Sequence, residues 1–112
     1  MKAQPLRAAA AADAMAALVA VVTGVGKADG IGLEIVRGLA SAAWLDPKTT
    51  ITVVSTARDE AAGSSVVRSL NLPNVVFRQL DITSDDSVKS FKAWVDETFG
   101  RGIDILVNNA GE

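Results

Sequence analysis

The sequence contains no cysteine and no histidine. These absences exclude disulfides, thiol and imidazole chemistry and the usual zinc sites, and they leave carboxylates as the only strong metal ligands. A chain without cysteine suits a reducing compartment, so we expect a cytoplasmic location. Import into an organelle through the alanine-rich N-terminus is the alternative.

Long apolar runs and concentrated charge are missing as well. Asp13 interrupts the only candidate for a run of about twenty apolar residues, so we expect no membrane span. The 11 basic residues stand singly and the net charge is −2, which argues against a nucleic acid or an anionic membrane as a partner. A chain of 112 residues, 49% of them hydrophobic, is large enough to bury the core of one domain.

Residues 1–16 are dominated by alanine, with Lys2 and Arg7 as basic residues. We expect this stretch to be a flexible extension that precedes a single domain over residues 17–112. A transit peptide and a secretory signal are the two targeting alternatives.

A glycine-rich segment organises the rest of the chain. Residues 18–22 before it are rich in β-branched side chains, as in a strand buried on both faces. Ile31, Ile35 and Leu39 after it recur every four residues and predict one face of a helix. Glycines between a strand and a helix let a phosphate approach the backbone at the helix N-terminus. A merely flexible loop is the alternative for the four glycines at positions 24, 26, 30 and 32.

The same alternation of strand and helix continues along the chain. The pattern predicts strands over residues 51–56, 75–80 and 103–107, with helices over residues 60–70 and 83–100. Strands separated by helices run parallel, with helices on both sheet faces. The predicted fold is therefore α/β, a doubly wound Rossmann-like parallel sheet with strand order 3-2-1-4, truncated after the fourth strand.

Two of the predicted helices have an apolar row and expected ends. Buried faces are predicted for Val66, Val67 and Leu70 in the first, and for Val88, Phe91 and Val95 in the second. Thr83 and Ser84 supply hydroxyl caps at the start of the second helix, and Gly100 suits a left-handed residue at its end.

Arg58 follows the second predicted strand, at the edge of the sheet where open α/β folds bind their ligands. A guanidinium at this position favours the 2′-phosphate of NADP over the ribose hydroxyl of NAD. The alternative is a surface ion pair with Asp59, one residue further along.

Asp81 and Ile82 follow the third predicted strand. The carboxylate is suited to accept from the adenine amino group while the apolar neighbour contacts the ring. The alternative is that Asp81 only caps the next helix, although Thr83 and Ser84 already serve that purpose.

Small residues and amides follow the fourth predicted strand, over residues 108–111. We expect Asn108 to tie the loop to the sheet and Asn109 to contact a ligand. Lys27 is a candidate phosphate partner, with a solvated surface lysine as the alternative. It is not a P-loop lysine, because the Gly-x4-Gly-Lys-Ser/Thr pattern is absent.

Together these segments resemble the short-chain dehydrogenase/reductase family, and more narrowly its monomeric NADPH-dependent carbonyl reductases. The similar segments are Thr23-Gly24 with Gly30-Ile31-Gly32, residues 56–59, residues 78–82 and residues 104–111. The resemblance implies NADP(H) as the cofactor, held by the turn between Thr23 and Gly32 with Lys27. It also implies a 2′-phosphate contact at Arg58, adenine contacts at Asp81 and Ile82, and a cofactor contact at Asn109.

The sequence departs from this family pattern in the glycine-rich turn. The family usually has three residues between Thr-Gly and Gly-Ile-Gly, whereas here there are five, at positions 25–29. The extra pair is Ala28-Asp29. An acid beside a pyrophosphate opposes binding, so we expect weaker affinity unless Asp29 points outward.

The family's catalytic serine, tyrosine and lysine lie beyond the Asn-Asn-Ala-Gly segment, and this sequence has no tyrosine. The expected function is therefore the NADP(H)-binding half of a carbonyl (ketone, aldehyde or quinone) reductase, without catalytic residues of its own. A carbonyl substrate is expected only where a C-terminal half is supplied. The alternatives are a non-catalytic dinucleotide-binding module that self-associates through its exposed fourth strand, and an inactive remnant.

Overall fold

A computed structural model of the chain describes residues 16–41 and 48–110. Residues 1–15 of the predicted extension and Gly111 of the amide-rich segment lie outside the described residues. The strands are β1 (Ala16–Val22), β2 (Thr49–Ala57), β3 (Val75–Gln79) and β4 (Ile105–Val107), and the helices are α1 (Ile31–Ser41), α2 (Glu60–Leu70) and α3 (Asp85–Phe99). No helix in these ranges is long and apolar enough to cross a membrane.

The four strands form one parallel sheet in the order β3-β2-β1-β4, which confirms the predicted order. β1 lies between β2 and β4, and its residues at positions 19–22 are buried, as expected for a strand covered on both faces. All four strands end at the same edge of the sheet. Every segment that comes directly after a strand is therefore brought to that edge.

Helices cover both faces of the sheet. Ala20 and Val22 of β1 point to the face on which α1 and α2 pack, in a cluster that contains Leu33, Val36 and Val66. Val19 and Val21 point to the opposite face, where α3 contributes Phe91, Val95 and Phe99. The alternation of side chains along one strand thus separates two apolar cores.

The predicted face of α1 is wrong in part. Ile31 is 75% exposed, and the sheet instead receives Leu33 together with the row Gly32, Val36 and Ala40. These three small residues are spaced four apart, so they let the helix lie close to the strands. Ile35 and Leu39 are half-buried at the side of this row and pack against the core.

In the other two helices the predicted apolar positions hold, with one exception. Val66 is buried, and Val67 and Leu70 pack against the same core. Val88, which the spacing places on the buried face, is 44% exposed, because it shares a helix row with Lys92 and Asp96, which form an exposed ion pair. The buried row of α3 consists of Phe91, Val95 and Phe99.

The entry to β4 is held by side chains as well as by a backbone bond to β1. α3 ends at Gly100, which is left-handed (φ 65°) as predicted. Asp104 accepts a hydrogen bond through Oδ2 from the Val19 amide (2.8 Å) and donates its own amide to the Val19 carbonyl (2.8 Å). Arg101 pairs with Asp104 and also donates to the Ala17 carbonyl. β4 therefore begins two residues later than predicted, and Asp104 serves the sheet.

Candidate functional site

The turn after β1 contains a glycine that no other residue can replace without strain. Gly24 has φ +73°, in the left-handed region that L-residues rarely adopt. A Cβ atom added there would lie 2.7 Å from the Ala110 Cα and 2.9 Å from its nitrogen. The segment after β4 therefore lies directly against the turn after β1.

Thr23 joins these two segments through its buried side chain. Its Oγ1 accepts hydrogen bonds from the amides of Asn109 and Ala110, both at 3.1 Å. Its own amide donates to the Val107 carbonyl at 3.1 Å. The Thr23 hydroxyl also donates to the Val107 carbonyl at 3.4 Å, so four bonds from one residue fix the end of β4 to the end of β1.

Asn109 completes the connection. Its Nδ2 donates to the Gly24 carbonyl at 3.2 Å, and a Cβ atom added to Gly32 would lie 2.6 Å from the same nitrogen. The structural role expected of Asn108 therefore belongs to Asn109, whereas Asn108 is exposed. Spacing alone does not distinguish two adjacent asparagines. A cofactor contact by Asn109 stays a prediction.

The two-residue insertion forms a turn on the surface. The Gly30 amide donates to the Lys27 carbonyl at 3.3 Å, and Ala28 and Asp29 between them are exposed. Lys27 is exposed too. The insertion therefore lies at the surface, and Asp29 is exposed.

The N-terminus of α1 opens beside this turn, directly after Gly30. The first amides of a helix have no partner within the helix, and they carry a partial positive charge. Ile31 stands outward at this point, and Gly32 is buried behind it. This end of the helix is suited to an anion flanked by an apolar surface.

Arg58 lies at the end of β2 with its side chain exposed. The alternative ion pair with Asp59 does not form. Asp59 is the N-cap of α2 and accepts from the Ala62 amide at 3.1 Å. The Arg58 carbonyl accepts from Gln79 Nε2 at 2.9 Å. The backbone on both sides of Arg58 is thus held in place.

Asp81 lies at the end of β3 and does not cap α3. Its Oδ1 accepts from the Thr83 hydroxyl (2.6 Å) and the Thr83 amide (3.0 Å), while Ser84 caps the helix by accepting from Ser87. The hydrogen bonds from Thr83, with a smaller contribution from the Arg58 charge, lower the pKa of Asp81. The carboxylate is therefore ionised and oriented at neutral pH. Ile82 beside it is 49% exposed.

The predicted site residues thus lie at one edge of the sheet, after β1, β2, β3 and β4 in turn. Together they offer helix amides for a phosphate, a guanidinium for a second anion, an acceptor for an amino group and two exposed isoleucines for a ring. In the described ranges, no group of three or more acidic side chains is placed to hold a metal ion.

The sequence model of the family described as short chain dehydrogenase matches residues 18–112. That match covers the sheet, its helices and the four segments at the site. The chain belongs to the short-chain dehydrogenase family.

Several short-chain dehydrogenases and reductases are similar to most of this chain. The NADPH carbonyl reductase 1 of Bos taurus is 42% identical over 95 residues, which are 83% of this chain and 31% of that protein. Salutaridine reductase of Papaver bracteatum is 44% identical over 96 residues, 82% of this chain and 28% of that protein. A crystal structure of an actinorhodin polyketide ketoreductase variant with NADPH superposes with a TM-score of 0.69 at 33% identity, over 86% of this chain and 34% of that one. The chain therefore spans about a third of the length of these relatives.

The sequence alone assigned no role to one residue of the candidate site, although this residue lies within the similar segment over residues 78–82. Gln79 is the last residue of β3, and its amide reaches across to the carbonyl of Arg58. A glutamine at the exposed end of a strand is common, so only the structure brings it into the site.

Proposed function

We propose that this chain is the NADP(H)-binding half of a short-chain dehydrogenase of the carbonyl reductase type. The observation that carries the proposal is the placement of Arg58 at the same sheet edge as the turn over residues 23–32. A dinucleotide with a 2′-phosphate needs both an anion site at a helix N-terminus and a cation after the second strand.

The residues of the edge fit the parts of this cofactor. The free amides at the start of α1 face the pyrophosphate, with Lys27 as an exposed cation nearby. Arg58 binds the 2′-phosphate, and Asp81 accepts from the adenine amino group through its ordered carboxylate. Ile31 and Ile82 gain burial when a cofactor covers them, since both are exposed without it.

Reduction of a carbonyl needs a hydride, which NADPH supplies when bound, and a proton donor at the carbonyl oxygen. The family's donor is a tyrosine, and this sequence contains none. We therefore predict that the 112-residue polypeptide binds NADPH but does not oxidise it with ketones, aldehydes or quinones. Carbonyl-dependent loss of NADPH absorbance in the pure polypeptide would contradict this.

Calorimetric titration with NADPH, NADH and ATP tests the proposal. NADPH is expected to bind best, and Arg58→Met should weaken NADPH about tenfold while leaving NADH nearly unchanged, as expected for a charge-assisted contact. Arg78→Met is the matched control, because Arg78 instead lies over the Trp94 ring, 5.0 Å from its centre. An equal loss of both cofactors in Arg58→Met would show that Arg58 supports only the fold.

A second candidate function is assembly through β4. This strand pairs with β1 on one side, its other side meets no strand in residues 16–41 and 48–110, and Leu106 is 54% exposed. An apolar strand edge without proline or lysine favours pairing with another chain. Light scattering distinguishes the two: a monodisperse monomer would contradict this candidate and leave NADP(H) binding untouched.

A further inference from the structure

The ladder between β2 and β3 ends at the pair Ala57 and Gln79. One backbone bond closes it, from the Leu80 amide to the Ala57 carbonyl (2.9 Å). The Arg58 carbonyl lies one residue further, beyond the end of this ladder. It accepts a hydrogen bond from the Gln79 side chain at 2.9 Å. This bond joins the segment after β2 to the end of β3.

Arg58 is consequently fixed at both ends of its backbone. On its N-terminal side Ala57 is buried within the ladder. On its C-terminal side Asp59 is held as the N-cap of α2, with φ −89° and ψ 111°. The bond from Gln79 then fixes the peptide plane between Arg58 and Asp59, because rotation of that plane would carry the carbonyl away from Nε2.

The direction of a side chain depends on the backbone angles of its residue. A long arginine on a fixed backbone has fewer orientations to lose when it binds an anion, so its affinity is higher. Arg58 is close enough to Asp81 that its charge lowers the pKa of that carboxylate. Arg58 and Asp81 follow the neighbouring strands β2 and β3, so both lie at the part of the edge where the adenosine is proposed to bind.

We infer that Gln79 is a positioning residue that sets the preference of this site for a 2′-phosphorylated nucleotide by holding Arg58. The inference rests on the proposed NADP(H) site. Gln79 itself touches no part of the cofactor in this scheme. Its removal should therefore change only the discrimination that Arg58 provides.

The test compares adenosine 2′,5′-bisphosphate with adenosine 5′-monophosphate, which differ only in the 2′-phosphate, by calorimetry on the full chain. Gln79→Met keeps the length of the side chain but has no hydrogen to donate. We expect the affinity ratio of the two ligands to fall about threefold to tenfold, with the monophosphate affinity unchanged. Gln79→Glu, which also cannot donate, should lower the ratio as well.

A double-mutant cycle identifies the route of the effect. If Gln79 acts through Arg58, the double variant Gln79→Met/Arg58→Met has the same ratio of bisphosphate to monophosphate affinity as Arg58→Met alone. Arg78→Met is again the control, since it alters the neighbouring residue on the side of Trp94 and should leave the ratio unchanged.

The outcomes separate the inference from the proposed function. Equal affinity of the wild-type chain for both ligands, unaffected by Arg58→Met, overturns the proposed function and the inference together. A ratio that falls in Arg58→Met but not in Gln79→Met overturns the inference alone. Equal weakening of both ligands in Gln79→Met, with a lower melting temperature, also overturns it, because the residue would then only support the fold.

Discussion

The two halves of the site are held together over very different distances along the chain. In the turn after β1, the bonds from Asn109 and Ala110 to Thr23 and Gly24 join residues 85 to 87 positions apart. At the ends of β2 and β3, the bonds that fix Arg58 and Asp81 join residues 2, 3 and 21 positions apart. The phosphate half depends on distant contacts, and the adenosine half on local ones.

This difference predicts how each half responds to damage. Thr23 and Gly24 of the phosphate half reach their native contacts only after β4 has docked beside β1, which closes a long loop, whereas the Val25 amide is held by the Thr56 carbonyl of β2. The adenosine half needs only β2, α2, β3 and the first turn of α3. Loss of β4 contacts should therefore disturb the turn over residues 23–32 while Arg58, Gln79 and Asp81 keep their arrangement.

The largest expected effect is that of Gly24→Ala. The substitution forces a left-handed backbone on alanine and drives its Cβ into the Ala110 backbone, which has no flexible end that could move aside. We expect a loss of about 3 kcal/mol in the free energy of unfolding, measured in urea. Binding of NADPH and NADH should be lost together, since the turn serves the part that they share.

Gly26→Ala is the control in the same turn. A Cβ atom there would meet only the Ala57 Cβ, at an ordinary 3.7 Å. Its unfolding free energy should stay within about 0.5 kcal/mol of the wild type. Similar losses in both variants would mean that the close approach of Ala110 does not decide the stability of the turn.

Gly63→Ala tests the local half in the same way. A Cβ atom at Gly63 would lie 2.2 Å from Cε1 of Phe77 and 2.9 Å from the Ala57 Cβ, so α2 must move off β2 and β3. Gly63 has no positive φ, so alanine adds no backbone strain there and we expect a smaller loss than in Gly24→Ala, about 2 kcal/mol.

Gly38→Ala is the matched helix control, because a Cβ atom there meets nothing within 4 Å. Alanine favours the helix, so the variant should gain up to about 1 kcal/mol. If Gly63→Ala lowers the affinity for NADPH more than the affinity for NADH, the damage stays in the adenosine half. A uniform loss of both would contradict the separation of the two halves.

Asn109→Ala removes one distant contact without introducing a clash. The Gly24 carbonyl loses its donor, so we expect about 1 kcal/mol less stability, by thermal or urea unfolding. NADPH and NADH should weaken by the same factor. Asn108→Ala is the control and should leave both measurements unchanged. If Asn108→Ala were the more damaging, the roles of the two asparagines would be reversed.

Periodicity and the rules of parallel sheets are enough to predict most of the fold from the sequence. Strand order, the helices on both faces and the common edge that collects Thr23, Arg58 and Asp81 are all of this kind. Features that depend on tertiary contact were not accessible. The exposure of Ile31 depends on how closely α1 approaches the sheet, and the role of Asn109 depends on the position of Gly24, 85 residues earlier. The role of Thr83 could not be predicted either. A threonine before a helix is equally suited to cap the helix or to donate to Asp81, and the structure shows that it donates to Asp81 while Ser84 is the cap.

The smallest expected effect is the dependence of the preference for NADPH over NADH on pH. Thr83 and Arg58 lower the pKa of Asp81 below its ordinary value of 3.8, so this carboxylate stays ionised from about pH 8 down to about pH 5. The sequence has no histidine to titrate in this range. A phosphate monoester, however, gains a proton near about pH 6. The preference for NADPH over NADH should therefore fall about threefold on acidification, as the 2′-phosphate loses charge opposite an exposed guanidinium.

Calorimetry at about pH 8 and about pH 5 measures this ratio, and Arg58→Met supplies the control because its ratio should not depend on pH. The affinity for NADH itself should change little, since neither Asp81 nor the pyrophosphate titrates there. A wild-type ratio that is constant with pH would contradict the pairing of Arg58 with the 2′-phosphate. A fall in NADH affinity equal to that of NADPH would instead place the titrating group in the half that both cofactors share, around the turn over residues 23–32.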